Sequence, residues 1–310
     1  MNVATLTLNP SLDVSYTVPT LVAQQKVHAT KLRFDPGGNG VNVARGLKEL
    51  GIEAQAYMIL AGEIGSFLER LLASRLDHLH VVKSSGETRI NMTLLTENPW
   101  SQYEVDGMGS KISTVVLEEA TKQFIDGCKE GLGILTGSVP PGVHRGIYAD
   151  IGRRLVENSG RVVVDAQPSL LQAALPAKPY LIKPNKYELE ILCGTSLPTL
   201  EAVVDEAVVL FQEGITNVCV SMDKDGAVLV NDSGVFYARV PPVRVVSTVG
   251  SGDSMVAGLV TGLIKGFSAE EVLRLGVACG SATATMPGTQ IFSGVGIEEL
   301  LKDVRVEKLG

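Results

Sequence analysis

The chain has 310 residues, 45% of them apolar but only 5% aromatic, and a formal net charge of −7. That length suits one large α/β domain or two ordinary ones, and a core of Val, Leu, Ile and Ala suits a layered α/β enzyme. The acidic balance, with no long basic run, argues against a nucleic-acid partner, and no stretch of about eighteen apolar residues offers a membrane span.

The N-terminus, Met-Asn-Val-Ala-Thr-Leu-Thr-Leu, has neither the basic region nor the long apolar core of a signal peptide. The four cysteines, Cys128, Cys193, Cys219 and Cys279, form no CxxC pair and sit in apolar contexts. They read as buried free thiols in a reducing cytoplasm. His78 and His80 share one face of a predicted strand with no further ligand near them in sequence, which speaks against a transition-metal site.

In chain order, Val3 to Leu8 alternates as a first strand and ends at Asn9-Pro10-Ser11. Residues 13–35 carry scattered β-branched and polar residues without a helical period. Residues 88–106 behave alike, with a turn at Glu97-Asn98-Pro99, so the two regions are expected to pair as a small sheet beside the main domain. From about residue 115 helices and buried strands alternate: helix 115–129, strand 133–136, helix 147–157, strand 161–165, a short strand at 180–182, helix 200–213 and strand 218–221. Such alternation means βαβ units and a parallel sheet covered on both faces, with ligands bound beyond the carboxyl ends of the strands. Polar turns follow several strands there: Gly137-Ser138, Asp165-Ala166-Gln167, Lys183-Pro184-Asn185 and Ser221.

The most telling segment is Ser247-Thr248-Val249-Gly250-Ser251-Gly252-Asp253-Ser254. An apolar β-rich stretch, 240–246, precedes it, and a helical pattern (Met255, Val256, Leu259, Val260, Leu263, Ile264) follows. Glycines where a strand hands over to a helix let backbone N–H groups converge on an anion. A carboxylate there repels phosphate, so Asp253 either caps the helix or takes a proton from a hydroxyl that attacks a phosphoryl group. The remaining motifs favour the second role.

An early glycine segment, Asp35-Pro-Gly-Gly-Asn-Gly-Val-Asn-Val-Ala-Arg45, opens a helix and brings backbone close to a ligand at Gly37 and Gly38. Asn42 offers an amide that both donates and accepts, which suits sugar hydroxyls. The segment is a poor dinucleotide fingerprint, because its third glycine is misplaced and no clear strand precedes it. Asn185-Lys-Tyr-Glu188 reads either as a capping box or as a pair orienting waters around Mg²⁺. Ser221-Met-Asp-Lys-Asp-Gly226 is a polar turn that opens a hairpin, one βα unit before the anion loop. No GxxxxGK[ST], GxSxG or HExxH occurs.

Together these residues resemble the ribokinase-like (PfkB) carbohydrate kinases over nearly the whole chain, with 37–44 and 247–254 as the two family signatures. Thr7 to Asp13, Thr88-Arg89-Ile-Asn-Met, Gly137 to Gly142 and Lys183 to Leu189 are similar to its phosphosugar branch. The resemblance implies a three-layer α/β/α core with a mainly parallel sheet. It implies one kinase domain over 1–310 and a small β-sheet lid from about 12–35 and 88–106, which also forms a homodimer interface. Asp253 would be the base, with Gly250, Ser251 and Gly252 around the transferring phosphoryl group. Asp13, Gly37, Gly38, Asn39, Asn42 and Ser138 would contact the sugar, and Arg89 and Lys26 its existing phosphate. Lys183, Asn185, Ser221, Asp223, Gly226, Thr248, Gly250, Gly252 and Gly280 would line the ATP site, and Glu188 with Asn185 would hold Mg²⁺ through water.

Three positions depart from the family pattern: Asn39 stands where this branch often has Lys, Ser251 where Ala is usual, and Asp223 where Gly is usual. The implied reaction is ATP-dependent phosphorylation of a ketohexose phosphate, fructose 1-phosphate first, with tagatose 6-phosphate and fructose 6-phosphate as rivals. An idle sugar-phosphate or nucleotide sensor on the same fold is the non-kinase alternative, and an intact Asp253 argues against it.

Overall fold

The structure is a computed structural model that describes residues 1–309. Strand β1 (Val3–Thr7) is buried along its whole length, as its apolar and threonine side chains require between two helical layers. The chain then leaves for a second sheet as β2 (Ser11–Val18) and β3 (Lys31–Gly37), and returns through α1 (Asn39–Glu49), β4 (Gln55–Ala61), α2 (Gly62–Ala73) and β5 (Leu79–Ser84). A second excursion gives β6 (Arg89–Glu97) and β7 (Trp100–Val105). Regular alternation follows: α3 (Thr114–Gly127), β8 (Leu132–Thr136), α4 (Ile147–Glu157), β9 (Arg161–Asp165), α5 (Pro168–Ala174), β10 (Leu181–Ile182), α6 (Lys186–Cys193), α7 (Leu200–Gln212) and β11 (Asn217–Ser221). The chain closes with β12 (Ala227–Asn231), β13 (Gly234–Arg239), α8 (Ser251–Ile264), α9 (Ala269–Ala284), α10 (Ile297–Asp303) and β14 (Arg305–Lys308).

The large sheet runs β14-β13-β12-β11-β10-β9-β8-β1-β4-β5. Pairing is parallel from β11 to β5 and antiparallel from β11 outward to β14. Strand side chains alternate between two cores. Val162 and Val164 join the helices α3 to α7, while Val163 joins α1, α8 and α9 on the other face. This is the three-layer α/β/α arrangement expected from the alternation of strands and helices.

The smaller sheet, β3-β2-β6-β7, pairs the two early regions as expected, with β2 and β6 parallel and both outer strands antiparallel. Its register puts Asp13 beside Asp35 and Asn91, and Ser11 beside Arg89, so one face is polar. The opposite face carries Leu32, Phe34, Ile90, Tyr103 and Val105, all exposed.

Four expectations need correction. The stretch 240–246 is not a strand: β13 ends at Arg239, and Pro241 and Pro242 lack the N–H groups a ladder needs. The early glycine segment does follow a strand, since β3 ends at Gly37, but β3 lies on the edge of the smaller sheet and makes no βαβ unit with α1. The turn after Ser221 opens a hairpin as expected, between antiparallel β11 and β12, but it does not stand one βα unit before the anion loop, because β12 and β13 with no helix separate the two. Cys193 is only partly buried, whereas Cys128, Cys219 and Cys279 are buried free thiols. Residues 55–84, where the only signal above is the His78–His80 strand, supply β4, α2 and β5, with His80 in β5 and His78 just ahead of it.

Candidate active site

Helix α8 begins at the carboxyl edge of the large sheet. Its N-cap, Gly250, has φ 79°, a left-handed conformation that favours glycine, and no side chain caps the helix. The leading N–H groups therefore face outward, with the partial positive charge of the helix start behind them. Asp253 lies in this first turn but does not cap it, which removes the simpler explanation for this residue. Its carboxylate is held from elsewhere: Asn39 Nδ2 donates to Oδ1 at 2.9 Å and Asn42 Nδ2 donates to Oδ2 at 2.9 Å. Both amides come from the first turn of α1, so the two glycine signatures meet through one carboxylate.

Burial, with 4% of the residue exposed, pushes the Asp253 carboxyl up to about 7. The charge of Asp165 adds to this, and the bonds from Asn42 and Asn39 and the charge of Lys183 oppose it. Lys183, at the end of β10, places Nζ 3.3 Å from Asp165 Oδ1 in a buried ion pair. Asp165 holds the ammonium charged and raises its pKa. A Cβ at Gly252 would stand 3.4 Å from that Nζ, so the lysine lies directly over the start of α8. Open N–H groups, a buried cation and a carboxyl that ionises near neutrality thus converge at one sheet edge. The arrangement can accept a proton and can stabilise charge on a phosphoryl group.

On the smaller sheet, Asp13 is 9% exposed and burial raises its carboxyl to about 6. Ser11 Oγ donates to Asp13 Oδ1 at 2.7 Å, and Asn91 Nδ2 donates to the same oxygen at 3.1 Å. Any side chain at Gly37 would collide with the Asp13 carboxylate, so the glycine there is sterically required. At Gly137 a Cβ would stand 2.8 Å from Asn39 Oδ1, which brings the 137–138 turn against Asn39. Ser138 Oγ accepts from Asn9 Nδ2 at 3.1 Å. Asp13, Gly37, Gly38, Asn39, Asn42, Ser138 and Asp253 are therefore linked by direct contact or short chain connection.

Arg89 is more committed than its sequence context suggests. Its Nε donates to the Asn9 carbonyl at 3.0 Å and Nη1 to the Gly107 carbonyl at 3.2 Å, which leaves Nη2 for a ligand. Lys26 is exposed in the β2–β3 connection and makes no hydrogen bond or ion pair among the described residues.

On the other side, Asn185 and Glu188 form a complete capping box on α6: Asn185 Oδ1 accepts from Glu188 N, and Glu188 Oε2 accepts from Asn185 N, each at 2.8 Å. Ser221 N donates to the Pro184 carbonyl at 3.1 Å, so the ends of β10 and β11 stand side by side. Asp223 adopts φ 50°, the left-handed region where glycine is favoured and aspartate tolerated. A side chain at Gly226 would strike the Ala238 carbonyl, so that glycine serves the hairpin. Thr248 is exposed just ahead of α8. A Cβ at Gly280 would stand 3.1 Å from the Ser251 carbonyl, so this residue lets α9 close on the start of α8.

Asp165 enters the sequence reading only as part of a polar turn and Asn91 only within Thr88-Arg89-Ile-Asn-Met, neither with a role of its own. Asp165 ends a buried-strand run at the ligand edge, and Asn91 lies two residues from Arg89 on the same strand face. Those signals place both residues near the ligand but do not show their partners, Lys183 and Asp13.

No group of three or more His, Cys, Asp or Glu residues is placed to hold a metal among the described residues. The capping-box pair offers hard oxygen donors: Glu188 Oε1 is uncommitted and Asn185 Oδ1 is already bonded. That set fits a hydrated Mg²⁺ arriving with a nucleotide rather than an ion in a protein cage. No helix is long and apolar enough to cross a membrane among the described residues.

Fold and site together define a ribokinase-like α/β phosphotransferase. Residues 7–294 match the pfkB family of carbohydrate kinases, and the chain belongs to that family. It is similar to the 1-phosphofructokinase of Bacillus subtilis (strain 168), with 34% identity over 307 residues, covering 98% of this chain and 99% of that one. It is also similar to the ATP-dependent 6-phosphofructokinase isozyme 2 of Escherichia coli (strain K12), with 32% identity over 295 residues, covering 94% and 96%. The crystal structure of phosphofructokinase-2 from Escherichia coli in complex with substrates and products matches with a TM-score of 0.93 at 31% identity, over 97% of this chain and 99% of that one. Membership in the family implies dependence on Mg²⁺ and ATP.

Proposed function

We propose that this chain transfers the terminal phosphoryl group of ATP to a hydroxyl of a phosphorylated ketohexose, with fructose 1-phosphate as substrate and fructose 1,6-bisphosphate as product. The observation that carries this reading is the Asp253 carboxylate at the uncapped start of α8, held through both oxygens by Asn39 and Asn42. A base with a pKa near the working pH is the most effective at taking a hydroxyl proton. Asp253 accepts the proton of the attacking hydroxyl as the new O–P bond forms. The N–H groups of Gly250 to Asp253 and the Lys183 ammonium stabilise charge on the transferring group.

Asp13 and Asn42 orient the sugar hydroxyls, and Arg89 Nη2 binds the phosphate already present. Mg²⁺, when bound with ATP, neutralises phosphate charge; Glu188 Oε1 and Asn185 hold its waters. The smaller sheet acts as a lid over the sugar, and its exposed apolar face pairs with that of a second copy, with Lys26 reaching the partner's substrate.

The 1-phosphofructokinase of Bacillus subtilis supports fructose 1-phosphate. The similarity to a 6-phosphofructokinase isozyme keeps fructose 6-phosphate in the test. ADP release with fructose 1-phosphate, fructose 6-phosphate, tagatose 6-phosphate and free fructose side by side decides the matter. The expected ranking by kcat/KM puts fructose 1-phosphate first. A higher value for either rival reassigns the substrate, and no turnover on any of them favours the sensor.

A further inference from the structure

A second cavity, of about 470 Å³, opens beside α1 and contains neither Asp13 nor Asp253. Cationic side chains dominate its lining: Arg33 from β3, Arg45 and Lys48 from α1, and Arg75 from the turn after α2, against Glu49 as the one lining carboxylate. Ile291 and Phe292 supply an apolar wall. In a chain of net charge −7 such a concentration of positive charge runs against the average.

The partners of these cations are unevenly shared. Arg33 donates to Asp35 Oδ1 at 2.8 Å and Lys48 pairs with Asp77 at 2.8 Å. Glu49 accepts from Gly294 N at 2.9 Å. Arg75 reaches Asp35 only at 4.0 Å. Arg45 has no carboxylate within 4.0 Å among the described residues, and its one side-chain partner is Asn42 Oδ1, at 3.3 Å. Burial, and then the neighbouring charge of Arg75, lower the Arg45 pKa to about 10. Two guanidinium groups thus face one roomy concave site, one of them desolvated and attracted by Asp35 and Glu49 only from beyond contact distance. Arginine forks match phosphate oxygens through paired hydrogen bonds, and the volume is that of a small-molecule site.

We propose that this cavity is a regulatory site for a small organic phosphate, gripped by Arg45 and Arg75 with its carbon skeleton against Ile291 and Phe292. Arg45 is also the link to the chemistry. The same Asn42 that accepts from Arg45 donates to Asp253 at 2.9 Å. An anion that draws the Arg45 guanidinium into the cavity loosens Asn42, and with it one of the two bonds that aim the Asp253 carboxylate. Occupancy therefore lowers turnover. The coupling rests on the reading of Asp253 as the base; the binding does not.

Inorganic pyrophosphate is the probe, titrated calorimetrically into the full chain without ATP or sugar. Binding is expected in the wild type, weakened at least tenfold in Arg75→Ala and in Arg45→Lys, and retained in Arg89→Ala. Arg75 is at the surface, and melting of each variant checks that it is folded. No binding, equal binding by wild type and Arg75→Ala, or loss in Arg89→Ala alone would overturn the site, the last by placing the ion at the substrate phosphate position. With Mg²⁺ in excess, pyrophosphate is then expected to lower kcat of the wild type at least twofold and to spare Arg75→Ala. Equal effects on both would overturn the coupling while leaving the binding result intact.

Discussion

Asp253 is shaped by two opposing influences, and their balance makes it testable. Burial and Asp165 push its carboxyl up to about 7, while Asn39, Asn42 and Lys183 favour the ionised form. A base with that pKa works only when deprotonated, so kcat is expected to rise with pH through about 7 and then level. Asp253→Asn removes the base and should lower kcat by about 10²- to 10⁴-fold with KM for ATP nearly unchanged. Near-normal turnover in that variant would leave Asp253 without a chemical role. Asn39 offers a finer probe, because this branch of the family often has Lys there. Asn39→Lys puts a cation beside the carboxylate, which favours its charged form. The midpoint of the kcat profile should then move to lower pH, and a midpoint that stays put would mean the new ammonium points elsewhere.

Among the elements, α6 and the smaller sheet each serve two ends. The capping box of Asn185 and Glu188 starts α6 and also faces the proposed nucleotide site. Glu188→Gln keeps a capping side chain but loses the charge. It should raise the Mg²⁺ concentration for half-maximal activity while leaving the melting temperature within a few degrees. An unchanged Mg²⁺ titration would return the motif to capping alone. In the smaller sheet, a one-residue alternation separates a polar face that carries Asp13, Asp35 and Asn91 from an apolar one. Leu32, Ile90 and Val105 on that apolar face are 52%, 43% and 56% exposed, more than a monomer usually leaves together in one patch. Ile90→Lys should break the proposed dimer into monomers in light scattering. A wild type that is already monomeric at micromolar concentration would sink the proposed pairing.

At the scale of the whole molecule, the site is maintained at the expense of stability. Asp253 binds its proton up to about 7 in the native state, against 3.8 for the ordinary carboxyl, and Asp13 up to about 6. Between those values the native state holds more protons than the unfolded chain, so this contribution favours folding at low pH and fades as pH rises toward 7. The melting temperature of Asp253→Asn relative to wild type should therefore increase from pH 5 to pH 8. A difference that is flat across that range would show that burial does not strain the carboxylate.

Much of this architecture was legible in local pattern. Buried runs such as 161–165 and amphipathic stretches such as 147–157 report their own environment, because alternation and helical period follow directly from which faces meet water. The glycine segments at 37–40 and 250–252 were legible for a similar reason: a positive φ or a close approach restricts one position whatever surrounds it. Hydrophobic pattern misled at 240–246, where two prolines outweigh β-branched neighbours. Asp253 and its proposed role in phosphoryl transfer were already marked by the order of the motifs. Its two amide partners, more than two hundred residues away in the chain, became visible only when α1 packed against the start of α8. The same holds for Asp165 behind Lys183 and for Arg45 and Arg75 around their cavity. Contacts between distant segments depend on strand order and layer packing, and no local regularity records them, so the tertiary structure alone decided what surrounds the carboxylate and what charge it bears.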